Sequence, residues 1–269
     1  MIAVLITTPD YAGLNIKEKL AGLLELSENG KYAGYPVLES KNMRIYTTDE
    51  RCVYLENIDK EIKADLYIIP TTHRSGAGRN SLSCHTQGNW ADADLGGKPR
   101  NLSYAPAFYL KKAFNELARQ KEKMQLDYEV TLECTHHGPQ IESPTIFLEI
   151  GSSEEQWKDD DAGKAIANVV LELINFKPEE WKSAIGIGGL HYCNTFNKIM
   201  QRTDIALGHI CPKYMLEKVD REMIMQAIEK TVPKPGFALL DWKGLGRNKE
   251  KIKEILGGLD FPYQRTDRL

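Results

Sequence analysis

Apolar residues along this chain recur in two periods. Short continuous runs read as buried strands: IAVLITT (2–8), ADLYIIP (64–70), DYEVTLEC (127–134), PTIFLEIG (144–151), KSAIGIGG (182–189), DIALGHI (204–210) and GFALLDW (236–242). Between them, apolar positions spaced by three and four predict helices. Ile16, Leu20, Leu23 and Leu24 mark one face of a helix over about 16–27, with Asn15 as its cap. Further helices are expected at about 105–123, 153–175, 194–201, 213–230 and 248–257, the second of these opening with the capping box SSEE. MRIYTT (43–48) and CVYLEN (52–57) read as paired strands around Asp49-Glu50, and Pro70 as the stop of its strand. Residues 71–104 show little periodicity, which inside a compact domain points to a functional segment.

Strands alternating with helices predict a three-layer α/β/α sandwich around a mixed, mostly parallel sheet. There is no repeat, low-complexity tract or Gly/Ser/Pro linker, so residues 1–269 are expected to form a single domain. Composition adds little: 42% hydrophobic, 27% charged, net charge −3. No apolar span reaches membrane-crossing length, and the N-terminus reads as a core strand rather than a signal peptide. Five cysteines form no framework, so a reduced, cytoplasmic setting is expected.

The histidines change the picture. All six, His73, His85, His136, His137, His191 and His209, fall at strand ends or in the loops that follow. In sheets of this type that edge is where ligands bind. Imidazole there serves as a metal ligand or as a general acid or base. Along an extended chain, residues two apart share a face, so Cys134 goes with His136, and Glu133 with His137. His136 and His137 reach one ion only if Gly138-Pro139 turns the chain locally. Adjacent histidines also suit a division of labour, one orienting and one reacting. The pairs Cys134/His136, His191/Cys193 and His209/Cys211 lack the spacing of a closed Cys/His zinc site.

GIGGLH (186–191) has neither a dinucleotide nor a P-loop pattern. Gly188 and Gly189 either let a substrate approach the backbone or serve packing alone. Arg74, Arg79, Lys98 and Arg100 near Trp90 and Tyr104, with Lys243, Arg247, Lys249 and Lys251, compose either a positive rim for single-stranded RNA or ordinary solvated faces.

Across nearly its whole length the chain resembles the archaeal and plant class of zinc-containing D-aminoacyl-tRNA deacylases, also called D-tyrosyl-tRNA deacylases. THRSGAG, HTQGNW, ECTHHGP, FLEIGSSEEQW, GIGGLHY, GHICPKY and DWKG carry the resemblance, in that order. It implies a sheet similar to that of the phosphorylases and peptidyl-tRNA hydrolases. It also implies hydrolysis of the ester joining a D-amino acid to the acceptor end of tRNA, bound zinc, a monomer and broad D-amino-acid tolerance. By motif, His73, His85, His136 and His209 become expected zinc ligands. His136, His137, Glu133 and His191 become expected catalytic groups, and Gly188, Gly189, Arg79, Arg100 and Lys243 expected substrate contacts. The cysteines at 84, 134, 193 and 211 and Leu190 are departures from the family pattern. Bound zinc would polarise the ester and lower the pKa of a water, while a spare histidine or glutamate moves the proton to the ribose oxygen. A zinc peptidase or amidohydrolase would use the same cluster without a basic rim. A nucleoside phosphorylase would share the sheet, and a non-catalytic RNA-binding protein would need only the rim.

Overall fold

The computed structural model describes residues 1–76, 78–178 and 180–269; Ala77 of the THRSGAG motif lies outside them. The strands are β1 (Ile2–Thr7), β2 (Ser27–Tyr32), β3 (Tyr35–Ser40), β4 (Met43–Thr48), β5 (Leu66–Arg74), β6 (Ser81–His85), β7 (Gly88–Asn89) and β8 (Asn101–Leu102). They continue with β9 (Ala105–Pro106), β10 (Glu129–Leu132), β11 (Thr145–Ser152), β12 (Lys182–Gly189), β13 (Ile205–Pro212), β14 (Thr231–Val232), β15 (Phe237–Leu240) and β16 (Tyr263–Arg265). The helices are α1 (Tyr11–Leu23), α2 (Ile58–Glu61), α3 (Ala107–Met124), α4 (Glu154–Trp157), α5 (Asp160–Ile174), α6 (Asn194–Arg202), α7 (Arg221–Glu229) and α8 (Lys249–Gly258).

The mixed α/β class is as expected. The strands divide between two main sheets, an eight-stranded one in the order β10-β6-β11-β5-β1-β4-β3-β2 and a four-stranded one in the order β13-β12-β15-β16. The first is parallel from β11 through β5 and β1 to β4 and antiparallel at β6–β11 and β4–β3–β2; the second is parallel throughout. One apolar core serves both: Ile6, Ile68 and Ile146 of the first sheet share it with Leu207, Phe237 and Leu239 of the second. Helix α3 lies between them, against α5 on one side and β13 on the other.

Several local expectations are corrected. Residues 52–57 are not a strand: Cys52–Tyr54 forms a 3-10 turn, and β4 pairs instead with β3. Strand β2, polar and largely exposed, and the half-buried β3 lie at the sheet edge and show no clear strand period. Pro70 does not stop its strand, which runs on to Arg74. The ladder from β5 to β1 ends at Ile68, so at Pro70 only the β11 side remains to be bonded, and a missing N–H is tolerated. The aperiodic 71–104 segment contains β6, fully buried between β10 and β11. Its Ser81, Ser83 and Cys84 are small enough to sit inside without an apolar pattern. The predicted helix at 153–175 is two, α4 and α5, with Asp159 capping the second through the N–H groups of Asp161 and Ala162. Ser153 makes no such cap hydrogen bond.

Asn15 is not the cap of α1. Asp10 is, accepting from the Gly13 N–H at 2.8 Å. Asn15 lies one turn inside and donates to the carbonyls of Trp157 and Asp159 at 3.1 and 2.8 Å, at the junction of α4 and α5. Trp157 in turn donates its indole N–H to the carbonyl of His73 at 3.0 Å. The contact therefore holds one wall of the histidine cluster. Asn15→Ala is expected to strip the Trp157 carbonyl of its side-chain donor, while the Asp159 carbonyl keeps the Gly163 N–H at 2.9 Å, and to destabilise the protein by about 1–3 kcal/mol in urea denaturation.

Candidate active site

The parallel strands β4, β1, β5 and β11 of the first sheet point their carboxyl ends one way, and a cavity of about 720 Å³ opens there. His73, His136, His137, His191 and Glu149 line it, beside Asp10, Arg51, Arg74, Phe147 and Trp157. Five of the six histidines meet. His85 and His136 have ring centroids 4.3 Å apart, His136 and His137 4.4 Å, His136 and His191 4.7 Å, and His73 and His191 6.1 Å.

The meeting depends on a turn. Strand β10 ends at Leu132, and the chain then reverses direction with His137 at φ 43°, in the left-handed region that a non-glycine residue rarely adopts. Strict alternation past Leu132 is overturned. Glu133 does not go with His137; its carboxylate faces His73 Nδ1 at 3.2 Å, His191 Nε2 at 3.0 Å and His136 Nε2 at 3.6 Å. His136 and His137 both point into the cluster.

Three of the histidines share a pattern. His85 Nδ1 lies 3.2 Å from the carbonyl of Thr86, His136 Nδ1 2.8 Å from that of Cys134, and His137 Nδ1 2.6 Å from that of Gly138. A carbonyl only accepts, so each Nδ1 carries the proton; for His136 and His137 this leaves Nε2 its lone pair in the neutral ring, whereas His85 Nε2 lies 3.2 Å from Glu149 Oε1. Burial, together with the neighbouring His85, holds His136 well below the ordinary imidazole range; the same causes bring His137 down to about 4. Both are thus neutral, the form that ligates a metal.

Glu133 is almost completely buried, and neither of its oxygens makes a hydrogen bond despite the three nearby imidazoles. Its Oε2 also faces the lone pair of a neutral His136 at 3.6 Å, an unfavourable contact that a cation between them would relieve. The donor set agrees. Among the described residues, His85/His136/His137, Cys134/His136/His191, His73/Glu133/His191 and His85/Glu133/Glu149 each bring their ligand atoms within 4.8 Å of one another. The first and third of these triads share no residue. The site fits a metal ion.

Other members carry charge. Burial opposes protonation of His73, but its hydrogen bond to Glu149 (3.1 Å) and the Glu133 charge outweigh it and raise the pKa. Its Nε2 meets the Tyr192 hydroxyl at 2.9 Å, so both ring nitrogens are engaged by protein. Burial likewise opposes charge on His191, yet Cys134 and Glu133 hold its pKa up at about 10. Burial would raise Glu149, but hydrogen bonds from His73 and His85 pull it well below the usual carboxylate range.

Other expected site residues lie elsewhere. His209 is fully buried, with Nδ1 3.1 Å from Thr135 Oγ1 and Nε2 2.8 Å from the Ser103 carbonyl, and burial takes its pKa down to about 3. It belongs to none of the metal-capable groups found among the described residues. Gly188 and Gly189 are buried in packing. A Cβ on Gly189 would meet Phe196 at 2.9 Å, and one on Gly188 (φ +105°) would crowd Asp241 and Leu245. Arg79 pairs with Glu129, Arg100 pairs with Asp220 and Glu222, and Lys243 is exposed; none lines the cavity. Trp90 is core, only 2% exposed.

Sequence reasoning missed Glu149, Asp10 and Arg51. Glu149 stands inside the quoted FLEIG motif, where an acid in a buried strand was the available signal. Asp10 accepts from Gly13, from the Thr71 hydroxyl, and from the Thr72 N–H and hydroxyl at 3.0 and 3.2 Å. Nothing local marks Arg51.

Comparison with known proteins points to one family. Residues 60–264 match the family model described as D-aminoacyl-tRNA deacylase. The D-aminoacyl-tRNA deacylase of Pyrococcus furiosus is 36% identical over 272 residues, covering 97% of this chain and 99% of that protein. That of Methanosarcina barkeri is 36% identical, covering 100% and 90%, and that of Archaeoglobus fulgidus 32%, covering 94% and 91%. The crystal structure of AF0625, described as a conserved protein of unknown function, superposes with a TM-score of 0.93 at 29% identity, covering 100% of this chain and 96% of that one.

The raised pKa of His191 has a consequence for metal-free protein. Its folded pKa lies above the unfolded value of about 6.5, so its contribution to stability is complete below that pH and is lost as pH rises toward about 10. Denaturation in chelator between pH 6 and 10 should show stability falling with pH. His191→Gln should flatten that slope; an unchanged slope would contradict a charged His191.

Proposed function

The chain belongs to the D-aminoacyl-tRNA deacylase family, and from that premise we propose that its histidine–carboxylate cavity hydrolyses the ester between a D-amino acid and the acceptor end of tRNA. The observation that carries this reading is the cluster itself: neutral, carbonyl-anchored His136 and His137, with His85 against them, beside a buried Glu133 whose oxygens make no hydrogen bond. These three histidines would hold zinc, which when bound polarises an ester carbonyl and lowers the pKa of water toward neutrality. This revises the expected ligand set. His209 lies outside the cluster and His137 joins it; His73, like His85, meets protein at both ring nitrogens, but its raised pKa sets it with the charged groups.

The remaining groups handle protons. His191, charged at neutral pH and the most exposed of the cluster, is placed to protonate the departing ribose oxygen. Glu133, 3.0 Å from His191 Nε2, takes up the proton of the attacking water and restores His191 through that contact. Glu149 and His73 remain an ion pair, and Glu149 also lies 3.2 Å from His85 Nε2, the nitrogen that a bound metal would take over. The cavity's wide apolar wall, including Phe147, Val53 and Leu95, suits side chains of many sizes, which supports broad D-amino-acid tolerance. Action as a monomer and a cytoplasmic place of work belong to the same reading. No helix among the described residues is long and apolar enough to cross a membrane.

Incubation with D-tyrosyl-tRNA, L-tyrosyl-tRNA and a dipeptide, with metal content measured in parallel, tests the reading. Hydrolysis of the D-ester alone is expected, abolished by chelator and restored by zinc. A metal-free protein with full activity would refute the metal's part, and cleavage of the dipeptide alone would favour an amidohydrolase.

The paired histidines give a second test. His136→Ala and His137→Ala should each lose zinc and activity together, with partial rescue by excess zinc. Glu133→Gln should retain most of the metal and lower kcat by roughly 10²–10⁴-fold. Normal zinc content in both histidine variants would remove them from the ligand set.

A further inference from the structure

We propose that Arg51 and Arg74 bind the phosphodiester backbone of the single-stranded acceptor end whose terminal ester lies at the histidine cluster. This inference rests on the deacylase reading above and extends it to how the nucleic acid is held. Both arginines line the same cavity as the histidines and are exposed. Among the described residues neither has a carboxylate partner, unlike Arg44, Arg79, Arg100, Arg119, Arg247 and Arg265. Each instead lies over an aromatic ring: Arg74 is 5.2 Å from the ring of Trp157 and Arg51 5.6 Å from that of Tyr54. Lying over a ring supports a guanidinium without using its N–H edge, which stays available for an acceptor.

Sheet order sets where they stand. Arg51 follows β4 and Arg74 ends β5, with β1 between those strands. The arginines therefore flank the carboxyl end of β1, roughly 10 Å apart across two inter-strand spacings. Among the described residues, neither carboxylate lining the cavity is left to neutralise them. Asp10 is occupied by Gly13, Thr71 and Thr72, and Glu149 by His73 and His85.

An anion must come from outside, and the substrate chemistry names it. The amino acid of an aminoacyl ester carries an ammonium, and only an aspartyl or glutamyl side chain adds a negative charge. The phosphodiesters that precede the terminal ribose are the substrate's anions, and a planar guanidinium matches them in fork geometry. With the ester at the histidines, the adjoining backbone leaves the cavity past this rim.

The test compares two substrates: D-tyrosyl-tRNA, and 3′-O-D-tyrosyladenosine, which has the same ester but no phosphate. For Arg51→Ala and Arg74→Ala, the ratio of kcat/KM for the tRNA to kcat/KM for the nucleoside ester should fall by roughly tenfold or more each, mainly through KM. The salt slope of log kcat/KM on tRNA should shrink by about 0.7 per arginine removed. Arg79→Ala, whose guanidinium pairs with Glu129 outside the cavity, should keep the wild-type ratio. Hydrolysis of the nucleoside ester reports that each variant is folded. A wild-type ratio and salt slope in both arginine variants would overturn the proposal, as would equal losses on both substrates. A wild-type protein that cleaves neither substrate would overturn the deacylase reading itself.

Discussion

Three consecutive amide N–H groups tie the two sheets together. Glu133 donates to the Cys84 carbonyl at 3.1 Å, Cys134 to that of His191 at 3.0 Å, and Thr135 to that of Ile210 at 3.0 Å. Their acceptors stand on or beside β6, β12 and β13, so a segment leaving the first sheet is bonded into the second. Buried backbone groups must find partners, and here the partners are supplied by different parts of the fold. The same segment carries Glu133, His136 and His137. Meeting the backbone requirement thus delivers the chemical groups, and it pulls the His191 loop against them.

The electrostatics follow from that seam. Glu133 and Glu149 are both almost completely buried, a costly arrangement for carboxylates. Glu149 is offset by His73 and His85, which donate to it and keep it ionised. Glu133 makes no hydrogen bond, and the raised-pKa His73 and His191, 3.2 and 3.0 Å away, offset it by charge alone. Low-pKa His136 and His137 beside high-pKa His73 and His191 divide the cluster into a neutral, ligating part and a charged part. Identical side chains a few ångströms apart acquire different states because one pair faces carbonyls and other imidazoles while the other faces carboxylates.

The second layer of the site depends on rigid supports. Trp157 is held by Asn15 only through its backbone, yet its indole fixes the His73 carbonyl and its ring carries Arg74. Asp10 caps α1 and at the same time clamps Thr71 and Thr72, the two residues before His73. Helix capping and site geometry are here one contact, so a loss at Asp10 would be felt in both. Glycines 188 and 189 belong to this scaffolding, since their lack of a Cβ lets β12 lie against Phe196 and the turn after β15.

The sequence by itself determined the α/β class, because strand and helix periods are written in local apolar spacing. It also placed the histidines at strand ends or in the loops after them, which holds for all but His209, inside β13, and its ordered motifs marked the family. What it left undecided is what meets what. His209 reads like the other histidines in one dimension, yet its strand lies in the second sheet and both its nitrogens are consumed by Thr135 and Ser103. Glu149 sits in an ordinary apolar run, and only the antiparallel pairing of β11 with β6 sets it beside His85. Arg51 and Arg74 are 23 positions apart with no shared pattern, and strand order makes them neighbours across β1. The reversal at His137 was foreseeable from Gly138-Pro139, but not its direction. Local pattern encodes burial and period, whereas the protonation state and partner of a polar group depend on atoms contributed by distant segments, and those the tertiary structure alone decides.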